Sequence, residues 1–274
     1  MNRFFLGLLG FLGVLSRLSW AADPEILKTG LAVMERNEER RRINDVYAEA
    51  VLTTGGGGAA DRVKKFYWWK KISSDHVHYS ILTRFHFPPE VRGEAILFLE
   101  RTADENEVLM YLPNFKKVRR IESQQQSTGF MGSEFSYSDI ATPHVSEYQY
   151  KLLKSEACPG SANQGMQCYQ VEAFPASEVV KERIGYSKIV NWVRYDNFMV
   201  VQGEYYHLDG SLRKRMESTE FQKVDGQGSG KWLAQRIRVE SVQSGRFTLL
   251  QLSRLKVNEG IPDSTFNQQS LGRL

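Results

Sequence analysis

From residue 44 onward, apolar and polar side chains alternate with a period close to two, the spacing of a half-buried β-strand. The segments are joined by turn residues, including Asp209-Gly210, Ser244-Gly245 and a run of four glycines at 55–58. So many strands in direct succession predict one antiparallel, strongly curved sheet, closed or half closed. The predicted strands are residues 44–53, 62–72, 76–85, 93–101, 107–112, 148–155, 169–174, 188–195, 199–207, 212–223, 232–242 and 246–257.

Several of these strands carry large apolar side chains on both faces. In the segment AILFLE, Ile96 and Phe98 share one face, because strand side chains alternate. Leu97 and Leu99 share the other. A sheet with one wet face alternates apolar and polar residues, so these strands need a cover on each side. Periodicity leaves open whether the enclosed space is filled with side chains or holds a ligand.

The segment before the strands has the period of a helix. Asp23 is a capping residue and Pro24 suits the first helical position, so the two predict a helix start. We expect an amphipathic helix of about four turns packed on an apolar surface. Its apolar positions are Ile26, Leu27, Leu31 and Met34.

The first 21 residues read as a secretory signal peptide. Arg3 supplies the positive charge, residues 4–15 the apolar region, and Ser19 and Ala21 a small-x-small cleavage site. The apolar run is too short to span a bilayer, and no cysteine for lipid attachment follows it. We therefore expect an exported, unanchored mature chain of residues 22–274 that folds as one domain.

Charge and cysteine content narrow the function classes. The chain holds 36 basic and 32 acidic residues, a balance too even to favour nucleic acid as a partner. Its two cysteines, Cys158 and Cys168, predict a disulfide in an exported protein. A metal pair is the poorer interpretation, since no nearby cysteine or histidine completes a tetrahedral site. No metal and no cofactor is expected.

Catalytic patterns are missing from the sequence. No G-x-S-x-G elbow and no catalytic cysteine signature occurs, so a hydrolase is disfavoured. His76 and His78 lie two apart without a third ligand and are interpreted as surface or mouth histidines. Glu134 and Asp139 are a possible acid pair of little weight. The chain is therefore predicted not to be an enzyme.

One unusual stretch runs from residue 111 to 140, YLPNFKKVRRIESQQQSTGFMGSEFSYSDI. Pro113 ends a strand because it lacks an N–H donor. Residues 113–145 are predicted to form an insertion in which large apolar side chains are flanked by glycines, as in a swinging lid. Ser136 and Asp139 have capping-box spacing, with Asp replacing Glu, and predict a helical turn.

The runs LPNFKKVRRI and FMGSEFSYSDI resemble the signature of the LolA-like outer-membrane lipoprotein-sorting family of bacterial periplasmic proteins. The resemblance implies a mainly β (α+β) fold, a half-open antiparallel β-barrel with an N-terminal helix and a loop-helix lid. It also implies a periplasmic carrier of a lipid or acylated molecule, with transient membrane contact. Family members with this motif resemble those that accompany exporters of the resistance-nodulation-division type, so such an exporter is an expected partner.

The lid and the two-faced strands together predict a lipid-binding cavity. The lid would close over it, and substituting Phe130→Asp should weaken binding at less cost in stability than the core substitution Trp192→Ala. The predicted cavity wall is Trp68, Phe98, Met110 and Trp192, the lid is Phe130, Met131 and Phe135, and the hinges are Gly129 and Gly132.

Three other interpretations stay open at the level of sequence. The stretch could be a loop that only plugs one end of the sheet. The same fold could serve a periplasmic sensor that binds lipid and signals to a regulator. An outer-membrane barrel is disfavoured, because charged residues occur on both faces of the strands.

Overall fold

The computed structural model describes residues 27–74, 77–100, 106–141, 144–224 and 230–272. The predicted signal peptide and the predicted helix start at Asp23 and Pro24 lie outside these ranges, as does His76. The described chain forms one sheet, three α-helices and several 3₁₀ turns.

Thirteen antiparallel strands form a single open sheet in the described chain. The first strand, β1, pairs with the last, β13, in the middle of the sheet, and β6 and β7 are its two edges. The predicted antiparallel architecture is confirmed, and the sheet is half open, not closed. The strands are β1 Asp45–Gly56, β2 Ala59–Ile72, β3 Tyr79–Phe87, β4 Ala95–Glu100, β5 Asn106–Leu112, β6 Lys117–Ile121, β7 Tyr148–Ala157, β8 Gln167–Pro175, β9 Lys188–Arg194, β10 Val200–Tyr206, β11 Leu212–Lys223, β12 Trp232–Ser241 and β13 Arg246–Val257.

Strand β6 was not among the predicted strands. It follows a 3₁₀ turn, Pro113–Phe115, and Lys116 then adopts a left-handed conformation with φ 50°. Because β6 is an edge strand that pairs with β5 alone, its outward residues are charged and exposed. Those basic residues hide the alternation that identifies the inner strands.

Helix α1 spans Gly30–Arg41, so it begins later than the sequence pattern predicted. Thr29 is its N-cap and accepts a hydrogen bond from the Ala32 N–H at 3.1 Å. Gly30 rests so closely on β7 that a Cβ there would lie 2.9 Å from backbone atoms. The predicted apolar face is wrong at Leu31, which is 46% exposed, because the helix is rotated toward this close contact.

Two short helices complete the fold. Helix α2, Tyr137–Ile140, starts with the predicted capping box: the Ser136 side chain accepts from the Asp139 N–H, and the Asp139 carboxylate accepts from the Ser136 N–H. Helix α3, Glu178–Ile184, was not predicted. Its cap signals are nevertheless present, with Ser177 as N-cap and Gly185 left-handed at its end.

The two faces of the sheet bury separate cores, as the pattern AILFLE predicts. Ile96 and Phe98 belong to the concave core beneath the lid. Leu97 and Leu99 belong to a second core on the convex face. The cover of this second core is the C-terminal segment, whose Phe266 and Leu271 are buried there, and no sequence pattern predicted it.

The disulfide between Cys158 and Cys168 is confirmed and closes the end of the β7–β8 hairpin. Substituting both cysteines with alanine is expected to lower the unfolding free energy by about 2–3 kcal/mol, because the bond restricts a short loop of the unfolded chain. Urea unfolding of oxidised wild type and double variant measures the difference. Labelling of denatured, unreduced protein should find no free thiol, and two reactive thiols would contradict the prediction.

Candidate functional site

The concave face of the sheet, α1 and the segment around α2 enclose a cavity of about 300 Å³. Its wall is made largely of apolar side chains from both halves of the sheet, which places it at the centre of the half-barrel. The strand residues that contribute most of this wall are Val46, Phe66, Trp68, Ile189, Met216, Ile237, Leu250 and Leu252.

The lid is a tight turn that places two aromatic rings against the cavity. Phe130 is fully buried, and its ring centre lies 6.5 Å from that of Phe66 and 5.6 Å from that of Tyr137. Phe130 and Phe135 both line the cavity. Because Phe130 belongs to the main core, we now expect Phe130→Asp to lower stability as well as binding.

The backbone of the turn differs between the two glycines interpreted as hinges. Gly132 has φ 74°, a left-handed conformation that glycine adopts without strain, whereas Gly129 has φ −64°. Met131 is left-handed as well, with φ 51°, and packs partly buried against the main core. The reversal of the chain therefore occurs at Met131 and Gly132, while Gly129 pairs with Ser136 across the base of the turn.

The four residues proposed for the cavity wall lie in three places. Trp68 lines the cavity. Phe98 and Met110 belong to the core behind the lid, where the Phe98 ring centre lies 6.4 Å from that of Phe130. Trp192 lies on the convex face beside the disulfide, and its indole N–H donates to Glu156. Alternation along β9 explains its position, because the cavity side is occupied by Ile189 and Asn191.

A buried ion pair fastens α2 to the sheet. Lys214 of β11 contacts the Asp139 carboxylate, and its Nζ also donates to the Glu134 carbonyl at 3.0 Å. The Tyr186 hydroxyl donates to the other oxygen of Asp139 at 2.9 Å. Burial lowers the pKa of Lys214, and the adjacent Asp139 partly restores it. Sequence reasoning identified Asp139 as a cap and as a possible acid partner of Glu134, but not as the partner of Lys214 and Tyr186, because these residues are distant in the chain.

A second polar cluster joins α1 to the sheet through His144. Its Nε2 lies 2.9 Å from Glu100 of β4, and its Nδ1 lies 3.5 Å from Glu38 of α1. Burial alone would lower the pKa of His144, but its hydrogen bonds to Glu100 and Glu38 raise it to about 9. His144 is therefore protonated at neutral pH, although its sequence context suggested no partner.

The His144 cluster should make stability depend on pH. The folded pKa of His144, about 9, exceeds the ordinary value of 6.5. Its stabilising contribution to the free energy of unfolding is therefore complete below pH 6.5 and is lost as pH rises through 9. We expect wild type to lose about 3 kcal/mol relative to His144→Asn across that interval.

Urea unfolding at pH 6 and pH 9.5 measures this difference. Lys70 changes the stability in the opposite direction. Its folded pKa of about 7 lies below the ordinary value, so its effect on the free energy of unfolding becomes more favourable as pH rises above 7. Since Lys70 is present in both proteins, subtracting the variant from wild type isolates His144. A difference that does not change with pH would contradict the prediction.

The described ranges contain no group of three His, Cys, Asp or Glu side chains placed to hold a metal ion. None of the helices described is both long enough and apolar enough to cross a bilayer.

The geometry on both faces defines the class of protein. A half-open antiparallel sheet, an N-terminal helix and a lid surround an apolar cavity, which is the architecture of a binding or carrier protein and not that of a packed structural barrel. Structural comparison identifies the same architecture in proteins from three bacteria.

The chain is similar to a Vibrio parahaemolyticus domain described as outer membrane lipoprotein-sorting, with TM-score 0.80 and 25% identity over 89% of this chain and 98% of that one. It is also similar to a DUF1329 family protein from Desulfovibrio piger, with TM-score 0.79 and 28% identity over 88% and 97%. A LolA superfamily protein from Nitrosomonas europaea shares the fold, with TM-score 0.68 and 21% identity over 89% and 100%.

A family whose description reads "-like: Uncharacterized protein" matches residues 78–273. No curated protein matches the chain in sequence. The chain belongs to the matched family, and its fold is LolA-like.

Proposed function

We propose that this protein is a periplasmic carrier that binds a lipid or acylated molecule beneath its lid and moves it between the inner and outer membranes. The observation that carries the proposal is the apolar cavity of about 300 Å³ between the sheet, α1 and the lid. Small-molecule sites occupy roughly 300–1,000 Å³, so this volume is at the lower end of that range.

An acyl chain needs such a shelter to cross an aqueous compartment. Each methylene removed from water contributes about 0.8 kcal/mol, so even a partly enclosed chain gains a substantial binding energy. Polar contacts at Asp139 and Glu134 hold the lid on the sheet, and release of the ligand would require these contacts to break and re-form.

The family and the disulfide support an exported carrier. A disulfide persists in oxidising compartments such as the bacterial periplasm. We propose that residues 1–21 are removed and that residues 22–274 act as one carrier domain. An exporter of the resistance-nodulation-division type is proposed as a partner, with transient contact to a membrane.

A cavity-filling substitution tests the proposal without removing a core side chain. Ala234 of β12 lines the cavity, so Ala234→Phe should occupy the space that an acyl chain needs. We expect the affinity for a fluorescent fatty acid to fall about tenfold or more, equal to about 1.4 kcal/mol.

The matched control is Glu240→Phe on the same strand. Glu240 is exposed and pairs with Arg238 at the surface, away from the cavity lining, so its substitution should leave binding unchanged. Equal affinities of wild type and Ala234→Phe would exclude the cavity as the binding site. Mass spectrometry of native periplasmic material adds the ligand's identity, and a stable complex with a regulator instead of lipid would favour a sensor.

A further inference from the structure

Two cationic side chains line the largely apolar cavity. Arg41 is the last residue of α1, and Lys70 lies on β2, with its side chain on the concave face. In the described part of the chain, neither forms an ion pair. The Arg41 Nε donates to the Asn37 side-chain oxygen at 2.9 Å, and the Lys70 Nζ lies 4.0 Å from the centre of the Tyr79 ring.

Asn37 orients Arg41 within the cavity. Asn37 is 1% exposed, and its side-chain N–H donates to the Phe198 carbonyl at 2.7 Å, which fixes the amide. Its oxygen accepts the Nε of Arg41, and among the described residues the two terminal nitrogens of this guanidinium make no hydrogen bond, which leaves them available to a ligand. A planar guanidinium held in this manner suits an oxyanion.

The carboxylates nearest to this pair are already neutralised. Glu100 and Glu38 both contact the protonated His144, and Glu38 also contacts Arg42 at 3.5 Å. Asp139, the acid that lines the cavity in the described chain, is paired with Lys214 on the sheet. The two cavity cations are therefore a surplus of positive charge inside a largely apolar space.

We propose that Arg41 and Lys70 bind the anionic head group of an acyl ligand, a carboxylate or a phosphate, while its hydrocarbon chain lies along the apolar wall. This inference rests on the proposed carrier function and names the class of ligand. An anion between two partly buried cations is stabilised more strongly than in water, since the surrounding dielectric is lower.

The protonation of Lys70 supports this assignment. Burial, followed by the repulsion of Arg41, lowers its pKa to about 7, against a smaller opposing effect of Glu100. A bound anion would raise that pKa, so anion affinity should fall as pH rises above 7. The groups facing Lys70 are Arg41 from α1, Tyr79 from β3 and Glu100 from β4, the last in contact with His144.

The test compares cis-parinaric acid with its methyl ester, two fluorescent probes with the same chain and a charged or neutral head. Wild type should bind the acid about tenfold or more tightly than the ester at pH 6.5. Lys70→Met and Arg41→Met should each remove most of this preference for the acid over the ester. Lys65→Met is the control, because Lys65 is exposed on the opposite face of β2.

A pH series from 6.5 to 8 should weaken binding of the acid but not of the ester. Dodecyl phosphate should compete with the acid, whereas inorganic phosphate should not, since the chain supplies most of the affinity. Equal binding of acid and ester by wild type would overturn the head-group assignment and leave the carrier intact. Binding of neither probe would overturn the carrier function itself.

Discussion

Replacing Phe130 by alanine is expected to lower the unfolding free energy by about 3–5 kcal/mol, the range for large buried aromatic residues. Phe130 is fully buried among aromatic rings that extend from the sheet to α2. Truncation would leave a space beside the existing cavity that the neighbouring strands cannot fill. Urea unfolding, with the midpoint and slope fitted separately, gives the change in free energy.

Phe115→Ala is the matched control for this substitution. Phe115 lies in the same insertion but is 70% exposed, so its truncation should change stability by less than about 0.5 kcal/mol. Trp192→Ala, in the convex core, should resemble Phe130→Ala. If Phe130→Ala lowered the unfolding free energy as little as Phe115→Ala does, the lid would not be packed on the core in solution.

Removing Lys214, the lysine of the ion pair that holds the lid, should lower the unfolding free energy about as much as Phe130→Ala. Lys214→Met leaves the Asp139 carboxylate with Tyr186 but without its cation, and it removes the donor to the Glu134 carbonyl. Breaking a buried pair in this manner costs about 3–5 kcal/mol, because an uncompensated charge stays buried. Thermal and urea unfolding would both detect a change of this size.

A double-mutant cycle separates the pair from the loss of the lysine chain. The double variant Lys214→Met/Asp139→Asn should lose less unfolding free energy than the two single variants together. The reason is that the double variant leaves no buried charge unpaired. Arg215→Met is the control, because Arg215 pairs with Glu204 at the surface, where such pairs contribute about 0–1 kcal/mol. Additive effects within the pair would exclude a coupled ion pair.

Features that depend on residues close together in the chain could be predicted from the sequence. Ile96 and Leu97 could be assigned to opposite cores from the sequence, because alternation is a property of the extended backbone itself. The capping box at Ser136 is equally local, since it joins residues three apart. The disulfide could be predicted because only one pairing of two cysteines exists within the chain.

Other elements depended on competition between local signals and packing. Helix α1 begins at Gly30, after the N-cap Thr29, where the absence of a side chain allows the helix to approach β7. Helical periodicity does not encode this contact. Helix α3 carried a Ser177 cap and a terminal glycine, and those signals could have revealed it. Strand β6 was not predicted, because the outer face of an edge strand does not have to be apolar.

The sequence by itself determined every strand except β6, several of the turns, the capping box and the family resemblance, all of which rest on neighbouring residues. Tertiary structure alone decided the polar contacts of the site, because their members come from distant strands and helices. Lys214 reaches Asp139 across 75 residues, and His144 reaches Glu100 across 44. Arg41 and Lys70 meet in one cavity only because α1 lies across the concave face of the sheet, where a curved half-barrel leaves space for a ligand.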